Sequence, residues 1–188
     1  MKDIIENYFK ESIEVKERFF KDNIDKIEKV AKKIIATFEN GKKLIVFGNG
    51  GSASDSQHIA AEFVGRFRKE RKALPVISLA SNIASLTALA NDYGYQSVFR
   101  RQLEAFYEQG DVIIAISTSG SSSNVVEALK FLKDNDGYAI SFTGGDGGKM
   151  KELSDVSFIV PSDKTSIVQE VHITLAHLLC FLVEEGLF

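Results

Sequence analysis

Two pairs of residues have the types and spacing for acid–base or metal chemistry. His58 and Glu62 stand at i and i+4, so a helix would carry an imidazole and a carboxylate on one face. Such a pair transfers protons or ligates a metal. Gln169 and His177 are eight residues apart, about 80° round a helix at two turns' distance, so both can lean toward one site. His172, between them, points more nearly away from His177. Two imidazoles, a carboxylate and a neutral amide oxygen make a donor set that a borderline ion such as Zn2+ accepts. The two pairs are more than a hundred residues apart, so only the fold or a partner subunit brings them together.

Three further stretches suit ligand binding. Ser117-Thr118-Ser119-Gly120-Ser121-Ser122-Ser123 follows an apolar run and precedes a helical pattern. Hydroxyls and backbone N–H groups at a helix N-terminus form a site for a phosphate monoester. One or two serines would suffice for a helix cap; a run of hydroxyls around a glycine points to phosphate. Asn49-Gly50-Gly51, with Ser52 beside it, follows a second apolar run and lets bare backbone approach a ligand. Asn91-Asp92 precedes Tyr93-Gly94 and by itself signals a turn. Gly48-x-Gly50-x-x-Ala53 is a variant of the dinucleotide fingerprint, but the next strand ends Leu79-Ala80-Ser81-Asn82 with no acid to hold a ribose. No Lys-Ser/Thr follows the turn, which excludes a P-loop, and Gly144 to Lys149 reads as a loop.

The elements that must position these residues alternate from Lys43 onward. Strands are expected at Lys43–Phe47, Val76–Ala80, Asp111–Ile116, Tyr138–Phe142 and Val156–Val160. Helices are expected over roughly 53–68, 82–107 with a break near Tyr93-Gly94, 122–135, 147–153, and from about Ser166 to Glu185. This order predicts a parallel sheet with helices on both faces and ligands at the carboxyl ends of its strands. Residues 1–41 read as two helices, broken and capped at Asp22-Asn23, that pack on the sheet or on another subunit. The last helix is apolar nearly all round and belongs in a core or a subunit interface.

The 188 residues are expected to form one domain, with 1–41 used in packing or oligomerisation and 42–188 forming the α/β core. Apolar residues at 44% and charged residues at 26% are ordinary for a globular chain. A net charge of −3 gives no general attraction to nucleic acid or anionic membrane. The lone Cys180 lies in an apolar stretch, reads as a packing residue, and fits a reducing compartment. The charged N-terminus is unlike a secretory signal, and no uninterrupted apolar run is as long as a membrane span. The expected location is the cytoplasm.

With these residues assembled, the chain resembles the sugar isomerase (SIS) fold family and, within it, the sedoheptulose-7-phosphate isomerases, or phosphoheptose isomerases. The resemblance covers essentially the whole chain: the N-terminal helical pair, GNGGS, QHIAAEFVGRF, NDYG, GDVIIAISTSGSSSNV, TGGDGGKM and QEVHITLAH. It implies a five-stranded parallel sheet flanked by helices, a doubly wound, flavodoxin-like three-layer sandwich, assembled as a homotetramer whose sites involve neighbouring subunits. It implies conversion of D-sedoheptulose 7-phosphate to D-glycero-D-manno-heptose 7-phosphate, opening the nucleotide-heptose route to lipopolysaccharide or capsule. The family's zinc ligands, one ion per subunit, fall on His58, Glu62, Gln169 and His177. Its substrate positions fall on Asn49, Gly50, Gly51, Glu62, Asn91, Asp92, Ser117, Thr118, Ser119, Ser122 and Gln169.

An aldose–ketose isomerisation moves a proton between adjacent carbons through an enediol, and the base should have a pKa near working pH. Glu62 is the candidate base and His177 the candidate acid; alternatively both are zinc ligands first. Three rivals share the fold. A non-enzymatic adaptor branch binds the bacterial replication initiator and resembles this C-terminus, but lacks the Glu62 and His177 retained here. A sugar-sensing module would come attached to a DNA-binding or kinase domain. The third is an isomerase of another phosphosugar.

Overall fold

The computed structural model describes residues 1–188. Five parallel strands form one sheet: β1 (Leu44–Gly48), β2 (Val76–Ser78), β3 (Val112–Ile116), β4 (Tyr138–Gly144) and β5 (Val156–Val160), in the order β2-β1-β3-β4-β5. Leu44 pairs with Val76 on one side and Val112 on the other, and Val112 in turn with Tyr138. The sheet starts at its second strand, adds β2 on one side and β3 to β5 on the other, and this reversal opens a crevice between β1 and β3 at their carboxyl ends. This is the expected flavodoxin-like order.

The strands are β-branched and alternate between two cores. Leu44, Val46, Val112, Ile114, Ile116 and Phe142 face α1 (Lys2–Glu39), α2 (Gly51–Val64) and α7 (Thr165–Leu187). Ile45, Phe47, Ile113 and Ala115 face α4 (Val98–Phe106) and α5 (Ser123–Asp134). The expected break at Tyr93-Gly94 is present: α3 (Ile83–Tyr93) stops at Gly94, whose φ of +83° favours glycine, and a single 3₁₀ turn over Tyr95–Ser97 leads into α4. A short α6 (Met150–Leu153) precedes β5.

Two expectations are corrected. Residues 1–41 are not a helical pair: α1 is one helix from Lys2 to Glu39, without a break at Asp22-Asn23. Asn23 does not cap a new helix. Its side chain donates back to the Phe19 carbonyl at 2.8 Å, one turn earlier, inside a continuous buried stripe of Val15, Phe19, Ile27, Val30 and Ile34. A residue that would cap an isolated helix is carried through because burial on both sides favours continuation. The stop at Asn40-Gly41 holds, with Gly41 at φ +69°. The second helix is also shorter than expected, ending at Val64 rather than near 68.

By length and composition α7 could cross a membrane, with a mean hydropathy of 1.6. Here Ile167, Val168, Val171, Leu175, Leu179 and Val183 are instead buried in the core shared with α1, α2 and the sheet.

Candidate active site

Two groups of polar residues stand out: one at the carboxyl side of β1 and β3, the other along α2 and α7. The first lines a cleft of about 290 Å3 formed by Asn49, Gly50, Gly51, Ser52, Ser117, Thr118, Ser122, Thr165 and Gln169, with Ile116 as its one apolar wall. The turn after β1 reaches it because Gly50 takes φ +54°, and α2 starts directly at Gly51. Gly51 also packs directly against α7: a Cβ there would collide with the Gln169 amide.

The serine turn after β3 is folded on itself. Ser117 Oγ lies 2.9 Å from Ser122 Oγ and 3.4 Å from Ser119 Oγ, and Ser122 is the N-cap of α5. Unpaired N–H groups at that helix start and a ring of hydroxyls give the cleft a bias toward anions. Gly120 closes the turn at φ +62° against the loop after β4. A Cβ on it would strike Gly147, and Met150 N–H donates to its carbonyl at 3.0 Å. Gly144 ends β4, so the expected loop begins only at Gly145, and Gly147 and Gly148 permit this backbone-to-backbone packing against the serine turn.

The second group is on α2 and α7. His58 Nε2 stands 2.9 Å from His177 Nε2 and 3.1 Å from Glu62 Oε1. The donor atoms of all three lie within 4.8 Å of one another. The i,i+4 spacing places His58 and Glu62 on one face of α2, and packing of α7 beside it supplies His177. Phe67 lies beside His177, ring centres 5.8 Å apart. Asp55, one turn before His58, completes the surroundings: one carboxylate oxygen is buried without a partner, and burial pushes its pKa up against the pull of His58. No sequence signal marked Asp55.

A metal fits this second group. The two imidazole Nε2 atoms, 2.9 Å apart, and the Glu62 carboxylate can each give a lone pair to a cation placed among them. Three of the four residues expected as ligands converge. The fourth, Gln169, lies two turns back along α7 with its amide against Gly51, lining the cleft.

Of the expected substrate residues, Asn49, Gly50, Gly51, Ser117, Thr118, Ser122 and Gln169 line the cleft. Ser119 is exposed beside the buried Ser117, outside the cleft lining, and its hydroxyl accepts from Ser121 N–H at 3.3 Å. Asn91 and Asp92 are exposed at the end of α3 and bond to each other at 2.8 Å, outside the cleft lining. Tyr95, three residues on, is tied to the cleft through Asn49 at 2.9 Å. His172 is buried with its Nε2 3.1 Å from the Thr143 carbonyl, which fits its expected separation from the His177 site.

Residues 7–144 match the family model of the SIS domain. The chain is 50% identical to the phosphoheptose isomerase of Aquifex aeolicus over 98% of its own length and 97% of the relative's. The chain belongs to the phosphoheptose isomerase family of SIS domains. Solved structures agree. The phosphoheptose isomerase from Francisella tularensis superposes with a TM-score of 0.94 at 34% identity, covering 97% of each chain. The one from Neisseria gonorrhoeae gives 0.92 at 37% identity, covering 98% of each. Membership in this family places the chain among isomerases rather than among binding modules that share the fold.

Proposed function

We propose that this protein isomerises D-sedoheptulose 7-phosphate to D-glycero-D-manno-heptose 7-phosphate. The observation that carries the proposal is the convergence of His58, Glu62 and His177 next to a hydroxyl-lined anion cleft, in a chain half identical to enzymes of that name. The triad lies along α2 from the Gly51 turn, with His58 about 10 Å on. A ligand engaging both groups must therefore be extended, with its phosphate at one end, as a phosphorylated seven-carbon sugar is.

In this reading Ser117, Thr118, Ser122 and the start of α5 hold the phosphate, and Asn49, Gly50, Gly51 and Gln169 hold the hydroxylated chain. Asn91, Asp92 and Ser119 join as substrate residues only when ligand or a neighbouring subunit brings them in. Anchoring the phosphate fixes the position of C1 and C2, which is where rate is gained from orientation. Glu62 takes the proton from C1 of the ketose, and the C1–H electron pair becomes the C1–C2 double bond of the enediol. The same proton returns to C2 while the oxygen on C1 becomes the carbonyl. His177 moves the proton between the two oxygens. In the alternative reading Glu62 and His177 serve first as metal ligands: with His58, and with Gln169 once its amide turns from Gly51, they would hold one Zn2+ per subunit. Zinc would there polarise the carbonyl and stabilise negative charge on the enediolate oxygens. The protein is proposed to act as a homotetramer in the cytoplasm, at the entry to nucleotide-heptose synthesis for lipopolysaccharide or capsule, and the whole chain is taken as one domain.

The test is incubation of zinc-loaded protein with sedoheptulose 7-phosphate, following the aldose product. Glu62→Gln is expected to lower kcat about 10³-fold while the protein still melts cooperatively. Near-normal turnover in that variant would remove Glu62 from the chemistry. Chelation should abolish turnover and added zinc restore it. If sedoheptulose 7-phosphate is inert while another ketose phosphate turns over, the substrate assignment is wrong and the isomerase assignment stands.

A further inference from the structure

Asn49 is held by a closed set of hydrogen bonds that decides which way its amide faces. Asn124, the second residue of α5, is 1% exposed and does not reach the cleft. Its Oδ1 accepts from the Val125 backbone N–H at 3.0 Å. A backbone N–H can only donate, so this contact fixes which end of the Asn124 amide is oxygen. Asn124 then meets Asn49 head to head. Asn49 Nδ2 donates to Asn124 Oδ1 at 2.8 Å, and Asn124 Nδ2 donates to Asn49 Oδ1 at 2.9 Å. The second lone pair of Asn49 Oδ1 accepts from the Tyr95 hydroxyl at 2.9 Å. Both acceptor sites of Asn49 are now filled and one of its two N–H bonds is used. The group its side chain has left to offer is a single N–H, on a residue that lines the cleft.

We infer that Tyr95 and Asn124 are positioning residues that lock Asn49 as a donor-only contact, so that the sugar atom it meets is an oxygen acting as acceptor. This rests on the proposal that Asn49 holds the sugar. The two locks reach Asn49 from different elements, Asn124 from α5 and Tyr95 from the 3₁₀ turn after α3. The Tyr95 contact also ties the segment carrying Asn91 and Asp92 to the end of β1. Neither residue stands out in the sequence, since each becomes informative only once its partner's orientation is known. Without the lock, an asparagine flips freely and presents oxygen or nitrogen with equal ease. With it, a ligand offering only a donor at that point leaves the Asn49 N–H without a partner and is rejected.

Tyr95→Phe is the primary test, because Tyr95 is 56% exposed and its ring can stay while only the hydroxyl is lost. The expected result is KM for sedoheptulose 7-phosphate raised about three- to tenfold, as for loss of one neutral hydrogen bond. The melting midpoint should be unchanged, and kcat should move less than KM. Asn49→Asp keeps the shape and the acceptors but has no N–H, and should raise KM more than tenfold. An unchanged KM in either variant overturns the inference. A substrate-independent measurement separates this from failure of the functional reading. Backbone hydrogen exchange over residues 94–98 should speed up several-fold in Tyr95→Phe, because the turn is released from Asn49. Unaltered exchange would overturn the lock even if the enzyme proved to act on another sugar. Faster exchange with no turnover by the wild type would sink the substrate and keep the lock.

Discussion

At the scale of single residues, the three histidines do different work despite sharing one chemistry. His58 and His177 face each other beside Glu62, while His172 is buried with its Nδ1 unpartnered. Burial lowers the pKa of His172 from its ordinary 6.5 to about 4, outweighing the hydrogen bond to Thr143. Between those values the unfolded chain binds a proton that the native state refuses, so stability rises with pH across this window. Unfolding free energy should therefore be complete above pH 6.5 and fall as the pH drops toward 4. His172→Gln, which cannot titrate and can still donate to Thr143, should flatten that limb in urea titrations at several pH values. Glu170 adds a second, more acidic limb. Burial raises its carboxyl pKa, but hydrogen bonds from Ser12, Lys16 and Tyr8 prevail and hold it at about 2, against 4.5 ordinarily. Its contribution is lost as pH falls from 4.5 toward 2. The serine turn also separates by position. Ser117→Ala and Ser122→Ala remove cleft-lining hydroxyls and should raise KM about tenfold, whereas Ser119→Ala should have the smaller effect. Equal KM changes for all three would show that the resting arrangement is not the bound one.

At the scale of elements, what decides where α2 ends is a buried ion pair. Glu184 on α7 accepts from the backbone N–H groups of Phe67, Arg68 and Lys69 and from Arg71 Nε at 3.0 Å. The Arg71 guanidinium donates in turn to the carbonyls of Glu62, Phe63 and Gly65 at the end of α2. Both side chains are 1% exposed. The helical pattern past Val64 loses to this arrangement, because the carboxylate satisfies three N–H groups that a longer helix would have paired internally. The same clamp holds Phe67 beside His177 and fixes α2 against α7, the register that brings His58 and Glu62 to His177. Glu184→Gln leaves a buried guanidinium without its counter-charge, and should destabilise the fold by about 3–5 kcal/mol in chemical denaturation. A cost below 1 kcal/mol would mean that water reaches the clamp.

At the scale of the whole molecule, the outer part of α1 is the feature that one chain leaves unexplained. Ile4, Ile5, Phe9 and Ile13 are exposed, and an apolar groove of about 510 Å3 runs between α1 and α7, lined by Phe20, Ile24, Ile27, Ile35, Leu178 and Leu182. Exposed apolar surface on this scale fits the subunit interface proposed above. The double substitution Ile5→Glu with Phe9→Glu should convert the tetramer proposed above to a smaller species by light scattering; a mass equal to the wild type's would place the interface elsewhere. The sequence by itself determined the alternation of strands and helices, because buried parallel strands are short apolar runs and each helix carries its own stripe. It also pointed to the site residues: i,i+4 spacing puts His58 and Glu62 on one face of any helix, and a run of hydroxyls before a helix offers groups suited to an anion. Only the tertiary structure decided that α1 is unbroken, that Glu184 ends α2, that Gln169 rests on Gly51 while His177 joins His58 and Glu62, and that Asn124 and Tyr95 orient Asn49. Each of these depends on a partner distant in the chain. Local periodicity carries no information about such a partner, and burial against it overrides local preference.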